Sequence, residues 1–206
     1  MKLYTYDPAP NPQRLGLFLK YKGIGIETQQ VDMMSGEQLQ DAYRAIVPDQ
    51  TLPALVLDDG TLLTEVVGQC LYLESLYPEK PLMGTTDLER AQVISWDHKL
   101  YLTVFMGAAE VLRNNSPKFE GRALPGPLDL EQIPALVERG RLRLAHGWQM
   151  LDKAVTGRTW LAGEHFSLAD IDVGVLAGFA GWVKAEPPEE LTNLHAYLAR
   201  VREELA

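Results

Sequence analysis

Cysteine is almost missing: Cys70 stands alone in 206 residues, which excludes a disulfide framework within the chain. Aromatic residues make up 8% of the sequence, and no apolar run reaches the ~20 residues of a membrane span. Positive charge is also short, with 19 Lys and Arg against 28 Asp and Glu, for a net charge of −9. General nucleic-acid binding needs a basic surface, so that class is set aside. His98, His146, His165 and His195 share no ligand spacing and have no neighbouring cysteine, so no metal is expected. The Gly23-x-Gly25 pair lacks the rest of a dinucleotide fingerprint. No signal-type apolar stretch precedes the first strand-like residues, which points to the cytoplasm. What is present is a 46% hydrophobic chain, long enough for one or two packed domains.

The first part of the chain alternates strand and helix patterns. Residues 2–6 read as a strand, and 12–22 as a helix with Leu15, Phe18 and Leu19 on one face. Asn11 suits the N-cap of that helix, and Pro12 suits its first position. Residues 27–32 read as a second strand. Ser35-Gly36-Glu37-Gln38 has capping-box spacing and should start a second helix, which Pro48 closes. Residues 54–57 and 61–63 form a hairpin around Asp59-Gly60, a two-residue turn signal. Glu65-Val66 then opens an apolar helix to about Tyr77. Pro53, just before the hairpin, is a candidate cis proline.

Two prolines and a glycine in residues 78–84 prevent a continuous helix. Beyond them strand signals vanish. Thr86-Asp87-Leu88-Glu89 is a second capping box, opening a long helix to Val111 or beyond. Residues 114–126 are rich in turn formers, and 133–155 form another long helix. Ser167-Leu168-Ala169-Asp170 caps a helix from Ile171 to about Val183 that is apolar all round and therefore buried. Residues 192–205 form an amphipathic terminal helix. The expected fold is α/β plus all-α. A domain of residues 1–78 is followed by a linker at 79–85 and an all-helical domain at 86–206.

Three motifs carry a family resemblance: Ala9-Pro10-Asn11-Pro12-Gln13-Arg14, the block from Leu52-Pro53 to Glu65, and Trp160-Leu161-Ala162-Gly163-Glu164-His165-Phe166-Ser167-Leu168-Ala169-Asp170-Ile171. With the domain order, they make the whole chain resemble the cytosolic glutathione transferase superfamily. The resemblance implies a thioredoxin-like N-terminal domain that binds glutathione. It also implies a hydrophobic electrophile as second substrate and a two-fold homodimer through Tyr72, the 65–77 helix and the start of the 86–111 helix.

The same resemblance assigns site residues. The backbone of Leu52, before Pro53, would pair with the cysteinyl unit like a short added strand. Glu65 would meet the γ-glutamyl ammonium, and the Val66 N–H, at a helix N-terminus, its carboxylate. Gln38 and Gln50 are further glutathione candidates. Asn11 is the side-chain donor in the first loop, where the thiolate should sit, and Tyr6 is the alternative. Tyr101 and Phe105, with Met106, would wall the electrophile pocket, and Arg113 would bring a charge toward the thiol. The chain also departs from the family. Val66 replaces the usual Ser, and Val47-Pro48-Asp49-Gln50 replaces an Asn-Pro-x-Gly pattern. Ala9-Pro10-Asn11 is similar to the Thr-Pro-Asn of bacterial Nu-type transferases that reduce disulfides, without the threonine hydroxyl. Three functions follow: thiolate addition to an electrophile, disulfide or peroxide reduction, or a non-catalytic binding role.

Overall fold

The computed structural model describes all 206 residues. Its contacts divide the chain into two units, Met1–Lys80 with Leu124–Asp129, and Pro81–Ala123 with Leu130–Ala206. The first unit holds a four-stranded mixed sheet in the order β2-β1-β3-β4. The strands are β1 (Lys2–Thr5), β2 (Glu27–Gln30), β3 (Ala54–Val56) and β4 (Leu62–Leu63). β1 pairs parallel with β2 and antiparallel with β3, and β3 pairs antiparallel with β4. Leu3 and Tyr4 of the central β1 are buried, whereas all four residues of β2 are exposed.

Helix α1 (Pro10–Lys22) buries Leu15, Phe18 and Leu19 and packs on α3 (Val66–Leu76). Gly23, at φ 71°, ends it and donates to the Lys20 carbonyl. The buried Lys22 ammonium reaches Glu74 at 2.7 Å and the carbonyls of Glu79 and Lys80 at 2.8 and 3.0 Å. It thereby fastens the segment that leaves α3.

Three local expectations are corrected here. Ala9, not Asn11, is the N-cap of α1, so Pro10 takes the first helical position and Asn11 lies inside the first turn. A proline at that position loses no hydrogen bond, which moves the start forward. The Ser35–Gln38 box does not form. Asp32 captures the turn instead, its Oδ1 accepting from the N–H groups of Met34 and Ser35, while Glu37 accepts from the Asp32 N–H. Only a short 3₁₀ turn, Glu37–Leu39, and a four-residue α2 (Asp41–Arg44) follow. The hairpin loop has three residues rather than two. Leu57 N–H pairs with Thr61 C=O, Gly60 N–H bonds to Leu57 C=O, and within the loop only Gly60 has positive φ.

The second unit is all helical: α4 (Asp87–Leu100), α5 (Met106–Asn115), α6 (Ala135–Val155), α7 (Leu168–Gly181) and α8 (Thr192–Glu204). Thr86 caps α4 by accepting from the Glu89 N–H at 3.1 Å. The reciprocal half of the box is absent, because the Glu89 carboxylate accepts from the N–H and hydroxyl of Thr85. The long helix expected from residue 86 is interrupted. A π turn at Tyr101–Phe105 separates α4 from α5. α5 and α6 then cross with backbones nearly touching: a Cβ added to Gly140 would lie 2.6 Å from the Gly107 carbonyl oxygen. Glycine is required at that crossing for space, not for φ.

α7 is the core of this unit, with Leu168, Ala169, Ile171, Val173 and Leu176 all buried. Its cap at Ser167 forms as the motif indicates, with the helix beginning at Leu168. One Asp170 oxygen accepts from the Ser167 N–H and hydroxyl, both at 2.8 Å. The other accepts from the Leu161 N–H at 2.8 Å and from the Tyr197 hydroxyl. Burial pushes the Asp170 carboxyl up, and these four hydrogen bonds pull against it.

Candidate functional site

Strand register gathers the residues of interest at one end of the sheet. Tyr4 pairs with Ala54 at the end of the β1–β3 ladder, so Tyr6 and Leu52, which follow and precede them, lie at the same end of the sheet. Leu55 pairs with Leu63 at the end of the β3–β4 ladder, and one Gln69 side-chain nitrogen bonds both the Pro53 and the Leu63 carbonyls, so Pro53 and the chain entering Glu65 lie at the same end. Tyr6 packs against the cluster containing Tyr4, Val31, Tyr43 and Leu52. Its carbonyl accepts from the Ala9 N–H at 2.9 Å, which places the start of α1, with Asn11, at this same end.

The Leu52–Pro53 peptide is cis. On its two sides, carbonyls are held from below. The Tyr43 hydroxyl donates to the Thr51 carbonyl at 2.7 Å, and the Gln69 side-chain nitrogen donates to the Pro53 carbonyl at 3.0 Å. Burial raises the Tyr43 phenol far above its ordinary range, with Tyr4 adding to the effect, so the donor stays protonated. Between these pinned carbonyls, the N–H and C=O of Leu52 have no partner within the chain. Gln50 is buried in the left-handed region at φ 54°, with its N–H bonded to the Val47 carbonyl at 2.9 Å.

Glu65 precedes α3 with φ 61° and ψ 121°. For a residue with a Cβ this conformation costs about 1–3 kcal/mol, and its concentration at ligand clamps is a general pattern. The first N–H groups of α3, from Val66 onward, have no intrahelical acceptor. The exposed Glu65 carboxylate makes no ion pair and no cap hydrogen bond. An unpaired stretch of backbone at Leu52 therefore lies at the same sheet end as a helix N-terminus and a free carboxylate. That combination can take a small zwitterionic peptide.

The other candidates divide. Asn11 accepts from Arg14 through Oδ1 at 3.0 Å, which leaves its amide nitrogen free to donate. The Tyr6 hydroxyl bonds to nothing in the chain. Gln38 is buried with its carbonyl oxygen unpaired, and it caps no helix. Tyr101 and Phe105 lie on the π turn of the helical unit, their rings stacked at 5.1 Å and 13°. Phe179 and Trp182 extend this aromatic series at 5.4 Å steps. Arg113 is committed to its own loop, donating to the carbonyls of Ala123 (3.0 Å) and Arg122 (2.7 Å) and lying over the Phe119 ring. Burial, with Arg122 nearby, brings its pKa down to about 10, so it remains a cation that fixes this loop.

Two residues that shape the site were not singled out from sequence: Tyr43 and Gln69. Gln69 carried a usable signal, a polar residue inside the apolar run of α3, and it is fully buried. No group of three or more His, Cys, Asp or Glu side chains stands ready for a metal ion. No helix is long and apolar enough to cross a membrane.

Comparison with known proteins bears on the family and the fold. The glutathione S-transferase N-terminal domain family matches residues 3–81, and the C-terminal domain family matches residues 127–204. Glutathione S-transferase 2 of Saccharomyces cerevisiae is 27% identical over 98% of this chain and 86% of its own. The crystal structure of Gtt2 from the same organism superposes with a TM-score of 0.88 at 27% identity, covering 100% of both chains. The disulfide-bond oxidoreductase YfcG of Escherichia coli is 25% identical over 81% of this chain and 74% of its own. The two domain families together span most of the sequence, in the order and with the architecture seen here. The chain belongs to the cytosolic glutathione S-transferase superfamily.

Proposed function

We infer that this chain is a glutathione-dependent transferase, adding the glutathione thiolate to a hydrophobic electrophile. The observation that carries the reading is the juxtaposition at one sheet end of the unpaired Leu52 backbone and the Glu65–Val66 start of α3. In this reading Leu52 pairs with the cysteinyl unit, Glu65 with the γ-glutamyl ammonium, and the Val66 N–H with its carboxylate. Gln38 serves the glycyl end, and Gln50 is a further glutathione candidate. The free amide of Asn11 donates to the sulfur and holds it as thiolate, with Tyr6 as the second candidate donor. The thiolate forms a C–S bond, and the electrophile releases a leaving group or takes up a proton. Tyr101 and Phe105 are assigned to the electrophile by the family resemblance alone. Cytoplasmic detoxification as a homodimer completes the proposal.

Reduction of disulfides is the second reading. It is favoured by the similarity to a disulfide-bond oxidoreductase and by the Ala9-Pro10-Asn11 loop. Calorimetric titration of glutathione comes first. Weak binding is expected, because Val66 has no hydroxyl to offer the γ-glutamyl carboxylate. Val66→Ser should tighten binding roughly tenfold, and Glu65→Ala should remove most of it. Unchanged affinity in both variants would place glutathione elsewhere. Turnover of a chlorodinitrobenzene-type electrophile against hydroxyethyl disulfide then separates the two enzymatic readings. Binding without either turnover would indicate a non-catalytic glutathione-binding protein.

A further inference from the structure

Gln69 is a fully buried amide in the middle of an apolar helix, and its side-chain bonds reach two separate segments. Its side-chain nitrogen donates to the Pro53 carbonyl at 3.0 Å and to the Leu63 carbonyl at 2.8 Å. Its backbone N–H donates to the Glu65 carbonyl at 3.1 Å. Both side-chain partners are carbonyl acceptors, so the nitrogen end must face them whatever rotamer is chosen. The side-chain oxygen is buried with no partner. A buried amide that satisfies only half its capacity is a poor stabiliser compared with a leucine of similar volume. Its position between the strands, rather than its contribution to stability, is what distinguishes it.

We propose that Gln69 is a positioning residue for glutathione: it sets the spacing between the Leu52–Pro53 backbone and the Glu65–Val66 helix start. The proposal rests on the reading of this sheet end as the glutathione site. Pro53 is the residue after the unpaired Leu52 edge, and Leu63 lies two residues before Glu65. One amide thus ties the two segments that a single tripeptide must span. An extended ligand tolerates little change in that span, because both of its ends are fixed by charge-assisted or backbone hydrogen bonds.

The test uses the full chain and glutathione itself, by calorimetry and by steady-state kinetics. Gln69→Leu should raise Kd and KM for glutathione about tenfold, with kcat at saturating glutathione changed less than twofold. Cys70→Ala, a buried neighbour on the same helix, should lower the melting temperature at least as much while leaving KM for glutathione unchanged. Gln69→Met, unbranched and unable to donate, replaces the leucine variant if that does not fold. Gln69→Glu provides a readout that packing alone would not move. Its ionised carboxylate cannot donate, so KM for glutathione should fall as pH is lowered through its titration, relative to wild type at each pH. Wild-type affinity in Gln69→Leu or Gln69→Met would overturn the proposal while leaving the glutathione site standing. A wild-type chain that does not bind glutathione would overturn the site reading itself.

Discussion

Asn11 sits in the first turn of α1, where its oxygen serves Arg14 and its nitrogen serves nothing in the chain. That arrangement separates two roles that the sequence left entangled, since the cap belongs to Ala9. Asn11→Asp is the informative change. The carboxylate keeps the bond to Arg14 and suits a helix N-terminus, so the melting temperature should hold or rise slightly. On the proposed reading the donor to the sulfur is lost and a negative charge takes its place, which raises the thiol pKa and should cut turnover at least tenfold near neutral pH. Full activity in Asn11→Asp, measured with saturating glutathione, would transfer the role to Tyr6 or to a backbone N–H. Residues of this kind show where sequence reading reaches. Leu52, Pro53, Glu65 and Val66 stand out because turn, strand and helix-start signals are local, and the family resemblance gives them their expected roles. Tyr43 and Gln69 do not, because each bonds a backbone carbonyl, of Thr51 or of Pro53 and Leu63, and no cap, turn or periodicity signal marks a side chain for that role.

Among the elements, the start of α7 carries the heaviest consequence for stability. Asp170 is buried with both oxygens fully used by donors from Leu161, Ser167 and Tyr197. In Asp170→Asn the amide NH₂ would have to face donors, leaving buried N–H and O–H groups unpaired. The expected cost is about 3 kcal/mol or more, read as a fall of roughly 10 °C in melting temperature. A fall below about 2 °C would mean that the network relaxes around the amide. This cap was legible because all its main partners but Tyr197 lie within nine residues. The Ser35 box had the same spacing and did not form, since Asp32 and Glu37 offered the backbone a closer set of bonds. The π turn at Tyr101–Phe105 leaves no comparable mark, because the residues around it suit an uninterrupted helix equally well. The three-residue hairpin escaped for a similar reason: Asp-Gly is compatible with either loop length.

The whole molecule is expected to pair with a second copy, through Tyr72, α3 and the beginning of α4. Leu76 and Leu88, on these two helices, are exposed at 47% and 69%. A closed two-fold arrangement uses one patch on both subunits. Sedimentation at micromolar concentration should give twice the 23.0 kDa chain mass, and charge substitutions at Leu76 and Leu88 should shift it toward the monomer. A wild-type chain sedimenting as a monomer would remove the dimer from the proposal.

The sheet itself is protected from the uncontrolled version of such pairing. Its outer strands are β2, with Glu27, Thr28, Gln29 and Gln30 exposed and Glu27 drawn toward Lys2 at 3.6 Å, and β4, only two residues long. A short strand and a polar, charged one are poor templates for edge-to-edge growth. On the proposed reading, the main chain kept for glutathione is confined to Leu52, and the molecule keeps it unpaired without presenting a long edge on which fibrils could seed.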